Sequence, residues 1–524
     1  MPQPSFMLHQ TEPGRQNALA EPCPEGRNRI SLLPAFRARP VLRRLVLALS
    51  FLAVHETAVA ENPSAVLKPG KPVLMTGTYD VSALGYTAEE FFLEGRARAF
   101  SPLGTLREDG NWAVAPAASA GYKTRAVVLR PRDPERFNGT VIVEWLNVTG
   151  GFDMPVVWVN VHREIVRSGY AYVAVSAQKT GVEGDGRPDS PAPFLKKASP
   201  ERYNELVHPG DAYAYDIFSD AGRLIRRSGP DGLLGGLRPR ALIAAGESQS
   251  AFFLVTYVNA VDPLAKVYDG FLIHARAAAG APLEGIAAPD PSWLQKPVRL
   301  RSGLRVPVLQ LISETDLVQL LMARGYWAAR QPDTARLRTW EVAGSAHLDN
   351  YLFRAGHADV PGIPIPQLAA LWAPLNTGTG KPINNGPQQH YVAQAALHFL
   401  NRWVLGGRPP ARASWIELIP GDPPSIRRDS NGIAIGGVRT PWVDVPIARL
   451  SGSDPETRHQ IGGSTEPFSR EKLAALYPGG KSDYRKRFQA SLDDAIRKGF
   501  LLEADRAEIL ELAEAAFDQA FGKE

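Results

Sequence analysis

Ser248 lies between two apolar runs in the stretch "ALIAAGESQSAFF", residues 241–253. An apolar strand that turns sharply into an apolar helix, with a G-x-S triplet at the corner, is typical of a strained elbow that presents a serine hydroxyl. The last glycine of such an elbow is replaced here by Ser250, whose small side chain still allows the helix and strand to pack closely. G-x-S triplets also occur in ordinary turns. Ser248 is therefore a candidate nucleophile that needs a base and an acid within reach.

Two later residues could supply that base and acid. Asp316 follows the apolar run "VPVLQLIS", at the carboxyl end of a predicted strand, where ligands bind in open α/β sheets. His347 follows the predicted strand "RLRTWEVAG". The order Ser248, Asp316, His347, with gaps of 68 and 31 residues, is the order of the catalytic triad in α/β hydrolases. Glu314 is the alternative acid, and His357 is the alternative base.

Backbone N–H groups near the serine could stabilise an oxyanion. The N–H after the nucleophile belongs to Gln249, and the second donor is expected in the loop "NVTGG", residues 147–151. We predict Val148 or Thr149 for this second donor. The two glycines that follow let the backbone approach a substrate closely, although they could equally form a plain turn before a helix.

The chain around these residues alternates β-branched runs with amphipathic ones. This alternation predicts an α/β fold with a mostly parallel central sheet and helices on both faces. Strands are predicted at residues 140–148, 170–178, 241–246, 267–274, 306–313 and 336–344. Helices are predicted at residues 155–169 and 211–229, the second with Asp211 as its N-cap.

The chain divides into three predicted parts. Residues 61–425 form the α/β domain, with insertions at residues 177–210 and 275–304 that are rich in Pro, Gly and Ala. Such insertions usually form lids or pocket walls above a sheet, although either could be a tolerated loop. Residues 426–524 form an extension that ends in two helical stretches, and we expect it to pack on the main domain.

Residues 1–60 are predicted to be an N-terminal extension with a signal peptide. Four arginines precede the apolar run "LVLALSFLAV", and "AVA" follows it as a cleavage site. The alternative is a buried N-terminal helix. Cleavage would export the protein to the periplasm or the medium, and it would remove the only cysteine, Cys23. It would also lower the net charge from +5 to +2, because the segment holds seven Lys/Arg and four Asp/Glu.

Several segments resemble those of α/β-hydrolase domain-containing proteins, a large bacterial family. These segments are "VEWLNVTGG", "AVSAQKTGVEG", "AGESQSA", "SETD", "GSAH" and "GGVRTPWVDVP", and the resemblance covers about residues 70 to 515. It implies an α/β-hydrolase fold and serine hydrolase chemistry, with Ser248, Asp316 and His347 at the triad positions. It implies no particular substrate.

The sequence thus predicts an exported serine esterase that cleaves a carboxylic ester through an acyl-enzyme. The same triad could instead serve an amidase, a peptidase or a lactonase, and a non-catalytic envelope binding protein could keep the same fold. No metal or organic cofactor is predicted, because His, Cys and carboxylate residues do not cluster at ligand spacing. The expected partner is a small-molecule ester, with no nucleic acid and no stable membrane anchor after cleavage. Oligomeric state stays open.

Overall fold

A nine-stranded sheet runs through the computed structural model, which describes residues 62–521 apart from 188, 228, 231, 287–289, 377–380 and 454–460. Its strands in chain order are β1 (Ser64–Lys68), β2 (Tyr86–Pro102), β3 (Val114–Pro131), β4 (Thr140–Trp145), β5 (Ala171–Val175), β6 (Ala241–Glu247), β7 (Gly270–His274), β8 (Val308–Ser313) and β9 (Leu337–Val342). The spatial order is β1-β2-β3-β5-β4-β6-β7-β8-β9. Pairs from β1 to β5 are antiparallel, and the pairs from β5 through β4 to β9 are parallel. The predicted mostly parallel sheet is confirmed.

Helices cover both faces of the sheet. Within the described residues, the helices of eight residues or more are α1 (Val156–Ser168), α2 (Ala214–Arg226), α3 (Gln249–Thr256), α4 (Gln388–Val404), α5 (Gly480–Lys498) and α6 (Arg506–Phe521). Successive side chains of a strand point to opposite faces. Val141 and Val143 of β4 accordingly share a core with residues of α2 and α3, whereas Ile142 shares one with residues of α1, α4, α5 and α6. The predicted helix layers are confirmed.

Shorter elements connect these layers. The short α-helices are Lys179–Glu183, Leu195–Ala198, Pro200–Tyr203, Asp262–Ala265, Glu314–Val318, Asn350–Phe353, Ile365–Leu371, Pro441–Asp444 and Arg470–Leu476. The short antiparallel strand pairs are Gln319–Leu320 with Ala323–Arg324, Leu418–Ile419 with Ser425–Ile426, and Ala448–Ser451 with Ser464–Pro467. Among the described residues, no helix is both long and apolar enough to cross a membrane.

Helix α1 illustrates how local chemistry sets the ends of an element. Its first N–H groups receive no side-chain cap from Pro155, so the carboxylate of Glu144 on β4 accepts from Val157 N (2.9 Å) and Trp158 N (3.0 Å) instead. This contact satisfies donors that a helix start leaves unpaired. Burial raises the pKa of Glu144 to about 8, although these hydrogen bonds act in the opposite direction. Gly169 ends the helix with φ 71°, a left-handed conformation that glycine adopts without a steric penalty.

Two differences between the predicted and the observed elements have a clear physical cause. The strand predicted at residues 140–148 ends at Trp145, because Asn147 pairs with Met154 across a tight loop. The predicted N-cap role of Asp211 is wrong, since α2 begins only at Ala214. The carboxylate of Asp211 accepts instead from the backbone N–H of Lys179 at 2.8 Å.

The antiparallel strands β1, β2 and β3 were not predicted from the sequence. β2 and β3 are 17 and 18 residues long and pair along nearly their whole length. Charged residues interrupt β2, as in "YTAEEFFLEGRARAFSP", so it lacks the continuous apolar run of a central strand. Long-range pairing between the two strands, rather than a local pattern, determines this part of the sheet.

The two insertions begin at the carboxyl edge of the sheet. Residues 177–210 follow β5 and contain three short helices, and residues 275–304 follow β7 and contain the 3-10 turn Pro291–Gln295. The second insertion packs against the residue that follows the first one, because a Cβ atom at Gly285 would lie only 2.3 Å from the Cβ of Asp211. Because β5 and β7 run parallel to β6 and β8, both insertions start at the edge of the sheet where β6 and β8 also end. Their role as lids stays a prediction.

The C-terminal helices share the core beneath α1 and α4. Tyr484 and Phe488 of α5 and Phe517 of α6 are buried in that core. The predicted signal peptide, residues 1–60, lies outside the described residues.

Candidate active site

Ser248 lies at a sharp corner between β6, which ends at Glu247, and α3, which begins at Gln249. Its backbone has φ 60° and ψ −116°, a strained conformation for a residue other than glycine. The corner also brings strand and helix very close together. A Cβ atom at Gly246 would lie only 3.1 Å from the Cβ of Ser250, so the glycine and the small serine are both needed for this approach.

Three side chains form one hydrogen-bonded chain at this corner. Ser248 Oγ lies 2.9 Å from His347 Nε2, and His347 Nδ1 lies 2.6 Å from Asp316 Oδ1. Ser248 is partly exposed, whereas His347 and Asp316 are buried. Since a carboxylate only accepts hydrogen bonds, Nδ1 carries the imidazole proton and Nε2 is left to accept from the serine. This arrangement can move a proton away from the hydroxyl of Ser248.

Asp316 is held in place by the start of its own short helix. Its Oδ2 accepts from both Ser313 N (2.8 Å) and Ser313 Oγ (2.7 Å), in a capping box at the end of β8. The neighbouring Thr315 Oγ1 accepts from the backbone N–H of His347 at 3.2 Å. The carboxylate of Asp316 and the backbone of His347 are therefore held by separate contacts.

The alternative acid and base occupy other positions. The carboxylate of Glu314 accepts from Gly344 N (2.7 Å), from Gly452 N (3.0 Å) and from the guanidinium of Arg428 (3.0 Å). It therefore joins the loop after β9 to the C-terminal extension, and the carboxylate that contacts His347 belongs to Asp316. The imidazole that contacts Ser248 is that of His347, whereas His357 closes the 3-10 turn Ala355–His357.

The loop after β4 lies against the elbow. Val148 N lies 3.4 Å from the side-chain oxygen Oε1 of Gln249, a long hydrogen bond, whereas Thr149 N donates to Asn147 Oδ1 at 2.8 Å. Asn147 also donates from Nδ2 to the backbone oxygen of Glu247 at 3.0 Å. Of the two predicted second donors, Val148 is thus the one beside the elbow, and the N–H of Thr149 is engaged within its own loop.

Other polar residues of this region were not found from the sequence. Asn147, Thr315, Glu247 and His274 all contact the elbow or the triad, but none of them stands in a spacing that marks a site. Among the described residues, no group of three or more His, Cys, Asp and Glu side chains is arranged to hold a metal ion.

Comparison with protein families decides which group this architecture represents. Residues 59–511 match the family model described as an alpha/beta hydrolase domain. The chain belongs to this family. The match covers most of the sequence, and together with the nine-stranded sheet it confirms the predicted α/β-hydrolase fold. The family and the fold indicate a hydrolase.

Solved structures similar to this family member are distant in sequence. A mutant of esterase rPPE complexed with (S)-Ac-CPA is 13% identical with a TM-score of 0.24, over 45% of this chain and 66% of the esterase. A thermostable esterase from Pseudomonas putida is 14% identical with a TM-score of 0.24, over 47% and 74% of the two chains. The serine hydrolase XC6422 from Xanthomonas campestris, which lacks a lid, is 10% identical with a TM-score of 0.24, over 47% and 83%. A search of curated proteins found no match.

A buried carboxylate two residues after His347 gives this hydrolase-family member a pH-dependent stability. Asp349 is the N-cap of the helix Asn350–Phe353, and its Oδ1 accepts from Leu352 N at 3.0 Å. Burial raises the pKa of Asp349 to about 7, and the charge of Glu247 adds to this effect. The folded state thus binds a proton more tightly than the unfolded state, whose Asp pKa is about 3.9. The contribution to stability is full below about pH 4 and is lost as the pH rises to about 7.

We expect Asp349→Asn to remove this dependence, because asparagine is also a good N-cap and carries no charge. At pH 8 the variant should be more stable than the wild type by roughly 2 to 3 kcal/mol. Each unit by which the folded-state pKa exceeds the unfolded-state pKa corresponds to about 1.4 kcal/mol, and the incompletely hydrogen-bonded amide of asparagine offsets part of this gain. The difference should shrink toward pH 4. Urea unfolding of both proteins across this range measures it, and a constant difference at every pH would contradict the assignment.

Proposed function

We propose that this protein is a serine hydrolase that cleaves a carboxylic ester through an acyl-enzyme intermediate. The observation that carries the proposal is the continuous chain from Ser248 Oγ through the imidazole of His347 to Asp316, at an elbow whose serine has a positive φ. A serine hydroxyl is a weak nucleophile that needs an adjacent base and a group that orients this base. In this proposal His347 is the base and Asp316 is the group that orients it, and the two short contacts support these roles.

In the acylation step, Ser248 Oγ attacks the carbonyl carbon of the ester. His347 Nε2 takes the hydroxyl proton and then gives it to the leaving alkoxide, so that an alcohol departs as the bond between acyl carbon and oxygen breaks. Asp316 keeps the proton on Nδ1 and stabilises the imidazolium that forms. Water then attacks the acyl-enzyme with the same base, which releases the acid and restores Ser248.

The developing oxyanion would bind to the backbone N–H groups of Gln249 and Val148. The N–H of Gln249 belongs to the first turn of α3, where a helix leaves donors unpaired. Among the described residues, the N–H of Val148 has one partner, the side-chain oxygen of Gln249 at 3.4 Å, which a substrate oxygen can replace. Preorganised donors of this kind usually supply a large part of the rate enhancement.

An activity-based phosphonate and a panel of acyl substrates test the proposal. We expect an aryl fluorophosphonate to form one covalent adduct, located at Ser248 by mass spectrometry of the peptide that spans residues 241–253. The panel consists of p-nitrophenyl esters of increasing acyl length, matched p-nitroanilides and a set of lactones. Ester turnover well above anilide and lactone turnover would support the esterase assignment.

The same experiment separates the alternatives. Preferred anilide or lactone turnover would reassign the substrate class but keep the nucleophile. A folded protein that neither reacts with the phosphonate nor turns over any substrate of the panel would favour a non-catalytic binding protein.

A further inference from the structure

The residue before the nucleophile is a buried acid with two side-chain partners. Glu247 is 1% exposed, and its Oε2 accepts from Asn160 Nδ2 at 2.7 Å and lies 3.1 Å from His274 Nδ1. Asn160 belongs to α1, and His274 is the last residue of β7, opposite Glu247 in the parallel register of β6 and β7. One carboxylate oxygen therefore joins a helix and a neighbouring strand to the elbow. The proposed mechanism assigns neither Glu247 nor His274 a chemical step.

The same two residues also hold the backbone of the elbow. The carbonyl oxygen of His274 accepts from the N–H of Ser248 at 3.0 Å, and the carbonyl oxygen of Glu247 accepts from Asn147 Nδ2 at 3.0 Å. His274 thus contacts Glu247 through its side chain and Ser248 through its backbone. A non-glycine residue with φ 60° persists only where the surrounding contacts determine its conformation. The two contacts hold both polar atoms of the peptide group that joins Glu247 to Ser248.

The charges of the pair are complementary. Burial by itself lowers the pKa of His274, but the carboxylate of Glu247 and the hydrogen bond to it, together with the charges of Asp316 and Asp349, raise that pKa above its usual value. Burying a carboxylate is unfavourable unless a cation and hydrogen bonds accompany it. The imidazole of His274, which is 3% exposed, supplies a hydrogen bond and, when protonated, the cation for Glu247.

We propose that Glu247 and His274 are positioning residues, which hold the backbone of Ser248 so that its hydroxyl faces His347. This inference rests on the proposed role of Ser248 as the nucleophile. Displacing a nucleophile by a fraction of an ångström weakens its contact with the base, because general-base catalysis depends on hydrogen-bond geometry. The pair acts through Ser248 and touches no reacting atom.

Two variants of Glu247 separate the effect of its side-chain contacts from the effect of its charge. Both side-chain contacts fall on Oε2, and Oε1 has no hydrogen-bond partner among the described residues. In Glu247→Gln, the single amide oxygen can keep both contacts while a neutral His274 still donates from Nδ1. In Glu247→Ala, both contacts are lost. We expect the alanine variant to show a kcat about 10- to 100-fold lower at a nearly unchanged KM, and the glutamine variant to recover most of that loss.

The readout is kcat and KM for the best p-nitrophenyl ester, with thermal unfolding as the check that each variant is folded. A structural defect alone would lower the fraction of protein that the phosphonate labels, or the melting temperature, and would leave kcat per labelled site unchanged. If Glu247→Ala does not fold, Asn160→Ala is measured instead, since it removes one of the two donors to the same oxygen. Its kcat should then fall several-fold at unchanged KM.

Two results would overturn the inference, and they differ from a failure of the proposed function. The first is a wild-type kcat in a folded Glu247→Ala protein, or in a folded Asn160→Ala protein if the former cannot be made. This result would show that the pair does not position Ser248. An equal loss in Glu247→Gln and Glu247→Ala would show that charge, and not hydrogen bonding, is what matters. Failure of the proposed function would be visible earlier, as absence of phosphonate labelling in the wild type.

Discussion

Replacing Ser248 with alanine should lower kcat for ester hydrolysis by about 10⁴-fold or more, while the protein stays folded. Alanine has the same Cβ atom as serine, so the steric cost of the positive φ and the packing at the corner between β6 and α3 stay unchanged. Only the attacking oxygen is removed, and with it the hydrogen bond to His347. The measurement is steady-state turnover of the preferred ester, with circular dichroism and thermal unfolding as tests of the fold.

Ser250→Ala is the matched control for this experiment. Ser250 lies two residues later in α3, is fully buried, and its Oγ has no hydrogen-bond partner among the described residues. We therefore expect this variant to retain turnover within a few-fold of the wild type and to react with the phosphonate. Wild-type turnover in a folded Ser248→Ala protein would refute the nucleophile assignment.

Asp316→Asn should be nearly as damaging, with kcat lower by about 10⁴-fold. This expectation follows from the contacts of the Asp316 carboxylate. Ser313 donates two hydrogen bonds to Oδ2, so the single oxygen of asparagine is held there and its NH₂ group faces His347. The NH₂ group donates to Nδ1, which moves the imidazole proton to Nε2. Nε2 then cannot accept the proton of Ser248.

Glu314→Gln is the matched comparison, because it makes the same chemical change two residues earlier. Glu314 pairs with Arg428 and with two backbone N–H groups. We expect this variant to lose roughly 1 to 3 kcal/mol of stability from the weakened buried contacts but to keep kcat within about tenfold. Equal losses of kcat in folded Asp316→Asn and Glu314→Gln proteins would contradict the assignment of the acid. Chemical denaturation and steady-state kinetics measure the two effects separately.

Much of the scaffold could be predicted from the sequence because its signals are local. The strands that precede Ser248 and Asp316 are mainly apolar runs, and all three strands that lead to the triad residues are buried on both faces and followed by polar residues at the carboxyl edge of the sheet. The order of those residues along the chain favoured Ser248, Asp316 and His347, with Glu314 and His357 as alternatives. Strands β2 and β3 could not be predicted in this way, since their charged residues hide a pairing that spans 18 residues of β3.

The residues that support the elbow also escaped prediction. In the sequence, His274 simply ends a predicted strand, and Glu247 is the variable position of a G-x-S triplet. Their contact depends on the register between β6 and β7, which places them opposite each other. Asn160 reaches the same oxygen from a helix 87 residues earlier. No local pattern encodes such distances.

The sequence by itself determined the fold class, the elbow at Ser248 and the short set of acids and bases that could serve it. These features follow from hydrophobic periodicity, from small residues at a tight corner and from the order of polar residues after strands. Only the tertiary structure decided that Asp316, and not Glu314, contacts His347, and that Val148, and not Thr149, lies beside Gln249. Each of these choices is between near neighbours in the chain. A hydrogen bond forms or fails over a few tenths of an ångström, and contacts between elements far apart in sequence set that distance.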